Sequence, residues 1–220
     1  MGPVKALWKK ELLLEFRQKH AIAGIAMYVL ATVFVCFLSF ERLESEVVWG
    51  GLIWITGLFT AFNAMQKTFA QEGGGTQYYL YTLASPKQVI LVKSLYNALL
   101  VAALNVISLF FFLLFFGDEV LKEADFGQLF LGFLMGSSGL GMTLTFVSGL
   151  AYKSGVGVGL VAILGFPVII PLLITIVRFT TGALIGLTWL ENGLNLLVLF
   201  ILNGASLLLS TLLFPYLWRE

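Results

Sequence analysis

Six long apolar runs, separated by short polar breaks, dominate this chain: Ala21–Phe40, Val47–Gln66, Ser94–Phe116, Gln128–Ala151, Val156–Val177 and Leu194–Leu217. A bilayer crossing needs roughly 20 apolar residues. The fifth run alone supplies about 33 Å of helix at about 1.5 Å per residue. Backbone amides in hydrocarbon must be satisfied within the segment, so the runs read as helices; a closed barrel would alternate in polarity, and these runs do not. Composition agrees, because 59% of the residues are hydrophobic and only 11% are charged, against about 25% charged in soluble domains. The expected fold is an all-α integral membrane protein: a single domain over residues 1–220 with six transmembrane helices and no room for a separate soluble catalytic domain. The first run is too long for the core of a signal peptide. It ends in Leu38-Ser39-Phe40-Glu41 rather than a small-x-small cleavage site, and so reads as a retained helix.

Ahead of that run, residues 3–20 place Val4, Trp8, Leu12 and Phe16 every four positions, with Lys5, Lys9, Lys10, Arg17 and Lys19 between them. The pattern suits a basic amphipathic helix lying in the membrane interface, although an ordinary juxtamembrane stretch would also satisfy it. Basic residues in the breaks then set the orientation. With the N-terminus inside, ten of the 13 Lys and Arg residues fall on that side, namely Lys5, Lys9, Lys10, Arg17, Lys19, Lys67, Lys87, Lys93, Lys153 and Arg219. Only Arg42, Lys122 and Arg178 fall on the other, among acids such as Glu41, Glu44, Asp118, Glu123 and Asp125. Both termini are therefore expected in the cytoplasm. The net charge of +1 is uninformative as a total, and no nucleic-acid partner is expected.

Chemistry of the chain's own is hard to find. The glycines at 73–75 and at 155, 157 and 159 are not followed by Lys-Ser/Thr, so neither is a phosphate loop. The spans hold essentially no ionisable residue away from their ends, which removes the usual proton or ion relay. His20, at the edge of the first span, and Cys36, within it, read better as an interfacial and a packing residue than as ligands. No His, Cys and carboxylate cluster has metal spacing, and no nucleophile–base pair suggests hydrolysis. The expectation is a non-catalytic membrane subunit that binds no metal or cofactor itself and receives any energy from a partner.

The break over Lys67–Lys87 is the most informative. Glu72 and three glycines ending at Gly75 permit a sharp turn. Tyr78, Tyr79, Leu80, Tyr81 and Leu83 follow as an aromatic segment. Ser85-Pro86 then supplies an N-cap and a first-turn proline for the helix entering the third span. The tyrosines suit protein anchors or side chains at headgroup level, and the residues alone leave both open. Elsewhere, Gly132, Gly136 and Gly141, with Ser137, give the fourth span a small-residue face for close packing within the chain or against a second copy. Pro167 and Pro171 must disturb the fifth span, as a static kink or as a bend lining a substrate path. Asn63, Asn97, Asn105 and Asn203 read as interhelical hydrogen-bonding residues. The stretch Phe179–Gly193 is compatible with a short re-entrant or interfacial hairpin on the outer side.

The order Glu72, glycine turn, Thr76, Leu83, Ser85-Pro86 and Val89–Lys93 resembles the coupling loop of type-two ABC exporter permeases. The whole chain more narrowly resembles the cytochrome c maturation protein B family. Its Leu-Trp-Lys-Lys-Glu-Leu-Leu-Leu-Glu-Phe-Arg start, its Tyr-Thr-Leu-Ala-Ser-Pro loop, and Ser154-Gly155 followed by Phe166-Pro167-Val-Ile-Ile-Pro171 carry the likeness. The resemblance implies a homodimeric permease of the bacterial inner membrane, working with two copies of an ABC ATPase that holds the ATP. It also implies a haem-handling membrane subunit and a haem chaperone as partners, with haem as cargo of the complex. Glu72, Gly75, Tyr78, Tyr79, Tyr81, Ser85 and Pro86 become the implied ATPase contacts. A permease for another hydrophobic substrate, and an ATP-independent scaffold or channel, are the competing readings.

Overall fold

The structure, a computed structural model, describes residues 3–17, 19–40, 45–65, 84–154 and 158–218. They form seven helices: α1 (Pro3–Arg17), α2 (Lys19–Ser39), α3 (Glu46–Met65), α4 (Pro86–Val120), α5 (Phe126–Ser154), α6 (Val158–Leu184) and α7 (Trp189–Trp218). Five are long and apolar enough to cross a membrane, over Glu46–Met65, Pro86–Gly117, Phe126–Ala151, Gly165–Leu184 and Trp189–Tyr216; α2 carries a shorter apolar stretch, Ala23–Ser39. The all-helical membrane fold is thus present, with five such helices where six spans are expected.

One boundary is as expected and one needs correction. The third apolar run begins at Ser94, and α4, capped by Ser85, begins ahead of it at Pro86. Hydropathy marks only the stretch that lipid must cover, and a capped helix continues beyond it. At 35 residues α4 is about 52 Å long at about 1.5 Å per residue. That exceeds the roughly 30 Å hydrocarbon core, so the helix must project from it. A break in helical geometry at Phe116 (φ −128°, ψ 18°) bends its far end. The correction concerns Phe179–Gly193, which holds no hairpin. α6 runs on to Leu184 and α7 starts at Trp189, leaving only a tight turn between them. Gly186 makes that turn with φ +71°, and the Leu187 N–H donates to Gly182 O at 3.0 Å, the 6→1 bond of a glycine-terminated helix. A side chain at 186 would also meet Glu123 O at 2.6 Å.

α5 is the centre of the bundle: 67% of its apolar window is buried, against 22% for α7 at the periphery. Its glycines let neighbours approach. A Cβ at Gly132 would lie 2.6 Å from the Phe179 ring, one at Gly136 would lie 2.9 Å from Ile176 and crowd Trp54, and one at Gly141 would lie 2.8 Å from the α4 backbone at Asn97 and Ala98. The small-residue face is therefore filled by α3, α4 and α6 of the same chain. Around it Trp54 stacks on Phe133 at 4.7 Å and donates through Nε1 to Thr180 Oγ1 at 2.8 Å. Three of the four asparagines join helices as expected: Asn97 Nδ2 donates to Thr145 Oγ1 at 2.9 Å, Asn105 Nδ2 to Ser137 Oγ at 3.0 Å and Asn203 Nδ2 to Met135 O at 2.9 Å.

At the α5 start a second polar knot ties three helices. Asp125 accepts from Gln128 N and Nε2, both at 3.1 Å. Gln128 Nε2 also donates to Leu187 O at 2.6 Å, while its Oε1 accepts from Asn192 Nδ2 at 2.9 Å. The bonds from Gln128 hold the Asp125 carboxyl below the ordinary carboxylate value.

Candidate functional site at the α1–α4 junction

Ser85 and Pro86 start α4 as their residue types dictate. Ser85 is extended (φ −71°, ψ 149°), its Oγ accepts from Gln88 N at 3.4 Å, and Gln88 Oε1 accepts from Ser85 N at 3.2 Å. This reciprocal pair is a capping box, and Pro86 fills the first turn where no N–H is needed. The residues that lead into it, including Glu72, Gly75, Tyr78, Tyr79 and Tyr81, lie outside the described residues.

The first turns of α4 are not bare. α1 lies against them: Leu7, Val89 and Val92 form a small buried cluster with Trp8 and Ala84. The Trp8 ring meets Tyr96 edge-on at 6.0 Å. Beside this apolar contact Lys93 Nζ lies 3.2 Å from Glu11 Oε1, and Lys10 Nζ lies 3.5 Å from the same oxygen. The Lys93 side chain is only 2% exposed and that of Glu11 12%. A buried ammonium persists only where a carboxylate faces it, so the pair fixes how α1 sits on α4.

The other flank of the 66–83 segment is also tied down. Met65, at the end of α3, has its Sδ 3.4 Å from Thr145 Oγ1, which receives the Asn97 amide and donates to Gly141 O at 2.6 Å. The segment thus leaves from one fixed point and returns at another, and α4 shares both. Close by, the Ser94 and Ser148 hydroxyls are buried without a hydrogen-bond partner among the described residues. Among those residues no three His, Cys, Asp or Glu side chains come together as a metal site requires. Pro167 and Pro171 stand apart from the junction: α6 is continuous through both, and both are exposed on the outside of the bundle.

Ser85 and Pro86 cap α4 as the sequence predicts, whereas the Glu11–Lys93 pair is not foreseen by it. In the sequence Lys93 stands out only as a basic residue at a span end. The signal of the pair is slight, because Glu11 is one of two acids among four bases on α1 and already has Lys10 beside it.

The CcmB protein family model matches residues 3–217, which takes in α1, the capped start of α4 and all the remaining helices. The chain belongs to the CcmB family. No curated protein matches it in sequence. Membership makes the chain the membrane component of a haem exporter for cytochrome c maturation, a transport subunit rather than an enzyme. The apolar helices and the family together describe a multi-pass membrane protein.

Proposed function

We propose that this CcmB-family chain converts ATP hydrolysis by a separate ABC ATPase into movement of its membrane helices during haem delivery. In this reading α2 is the first of six spans and both termini face the cytoplasm of a bacterium, in keeping with the bias of the basic residues. Two copies of the chain meet two ATPase subunits, each docking on the stretch Glu72–Lys87 with Glu72, Gly75, Tyr78, Tyr79, Tyr81, Ser85 and Pro86 in contact. The observation that carries the reading is the capped, uninterrupted start of α4. In this reading a push on the loop enters a helix that begins at Pro86, behind the Ser85 cap, and is apolar through Gly117, with α1 held to its first turns. Because no haem-ligating cluster is legible in the sequence, the role we assign is mechanical. Hydrolysis in the ATPase releases a haem-loaded chaperone from a neighbouring haem-handling subunit, and haem remains cargo of the complex.

Purification of the tagged chain from native membranes in mild detergent, with partners identified by mass spectrometry, tests this. An ABC ATPase together with cytochrome c assembly proteins is the expected recovery. Tyr79→Ala with Tyr81→Ala should lower ATPase recovery while leaving the chain inserted; undiminished recovery refutes the assigned contact. Absence of any ATPase, under conditions that keep a control ABC complex intact, refutes the reading as a whole.

A further inference from the structure

Helix α1 has two working faces, and the junction with α4 uses only one. Leu7 and Glu11, one turn apart, point into the bundle. The flank beside that face, which shares Trp8 with the junction, forms an open groove of about 290 Å³ lined by Val4, Lys5, Trp8, Lys9 and Leu12. That volume is at the lower end for small-molecule sites, enough for a headgroup and not for acyl chains. Its chemistry is mixed in one particular way. Val4 and Leu12 present apolar surface and are 43% and 39% exposed, as Leu13 is at 53% on the same helix. Lys5 and Lys9 stand beside them with no ion pair among the described residues, since Glu11 is turned inward to Lys93. α1 packs on Val89 and Val92, in the first turns of the helix whose apolar stretch runs over Pro86–Gly117, which sets the groove beside one end of a membrane-spanning stretch.

We infer that this groove is a binding site for an anionic phospholipid. Lys5 and Lys9 hold the phosphate, and Val4, Trp8 and Leu12 lie along the glycerol and upper acyl carbons. A protein partner would leave that apolar surface to be matched side chain by side chain, whereas a lipid satisfies charge and apolar surface together. Each lysine near an anionic membrane surface strengthens binding about fivefold, so the pair should enrich anionic lipid about 25-fold. The inference rests on the membrane setting and not on the ATPase reading, so either can fail alone.

The test uses the full chain in nanodiscs of phosphatidylcholine containing increasing fractions of acyl-brominated phosphatidylglycerol. Subtracting the fluorescence of Trp8→Phe from that of the unaltered chain isolates Trp8. Its quenching should saturate at a small fraction of the anionic lipid. With K5Q/K9Q it should instead rise in proportion to bulk lipid composition. Native mass spectrometry of the unaltered chain and of K5Q/K9Q, which needs no change at Trp8, should show retained phosphatidylglycerol only in the former. Equal quenching curves with and without the lysines, or equal retained lipid, overturn the site. So does loss of the Trp8 quenching on addition of the purified ATPase, which would make the groove a protein contact.

Discussion

Changing Glu11 to glutamine puts the α1–α4 junction to its hardest test, because it keeps the shape of the side chain and removes only the charge that Lys93 faces. At 3.2 Å and an effective dielectric of about 20, the gross attraction is roughly 5 kcal/mol. Lys93, 2% exposed, gains little from water when that attraction is lost, while Glu11 at 12% already has some. Breaking one side of a buried pair costs about 3–5 kcal/mol. The amide oxygen of glutamine still accepts a hydrogen bond, which places E11Q at the lower end, about 2–3 kcal/mol. Those figures translate into an opening of α1 from α4 that is about 30- to 150-fold more populated, at tenfold per 1.4 kcal/mol.

Leu7 reports that opening, since it is 7% exposed in the docked state. In a Cys36→Ser, Leu7→Cys background, the rate of maleimide labelling should rise by that factor in E11Q. K93M alone leaves Glu11 without its buried partner and should also raise the rate. E11Q with K93M, which replaces the pair by neutral groups, should recover most of the loss, giving a coupling of at least about 2 kcal/mol. If E11Q labels within threefold of its parent and the double variant shows no coupling, the pair does not hold the junction and the reasoning fails.

Gly141→Ala should destabilise more than Gly132→Ala, by about 1–3 kcal/mol, because its new Cβ meets α4 backbone whereas that of Gly132 meets the movable Phe179 ring; thermal unfolding in detergent ranks them. Ser85→Ala removes the cap of α4 and should cost about 1 kcal/mol, visible as faster amide exchange confined to the first turn of that helix. Asp125 has its folded carboxyl value below the ordinary 3.8. Its contribution is therefore complete above that value and is lost as pH falls through the depressed folded one. Asp125→Asn should flatten that acid limb, read as thermal stability against pH.

The helical elements were legible because lipid imposes a length and a composition that no loop satisfies. Which face of each helix points inward was much less so. In a membrane the exterior is as apolar as the core, so hydrophobic periodicity fades as a guide, and small and polar residues carry the information instead. Gly132, Gly136 and Gly141 marked the inward faces of α5, and Asn97, Asn105 and Asn203 marked those of α4 and α7, by this logic. Gln128 and Asn192 obey the same rule, yet they stand at span ends, where a polar residue is as easily explained by water as by a partner. The Glu11–Lys93 pair joins residues 82 positions apart, and no local pattern encodes a partner at that distance. What the sequence does contain is the anomaly of a carboxylate amid Lys5, Lys9 and Lys10. An acid in such a place weakens attraction to an anionic membrane surface unless it is turned away from it. In this fold it is turned away, against Lys93, and pairs with neither Lys5 nor Lys9.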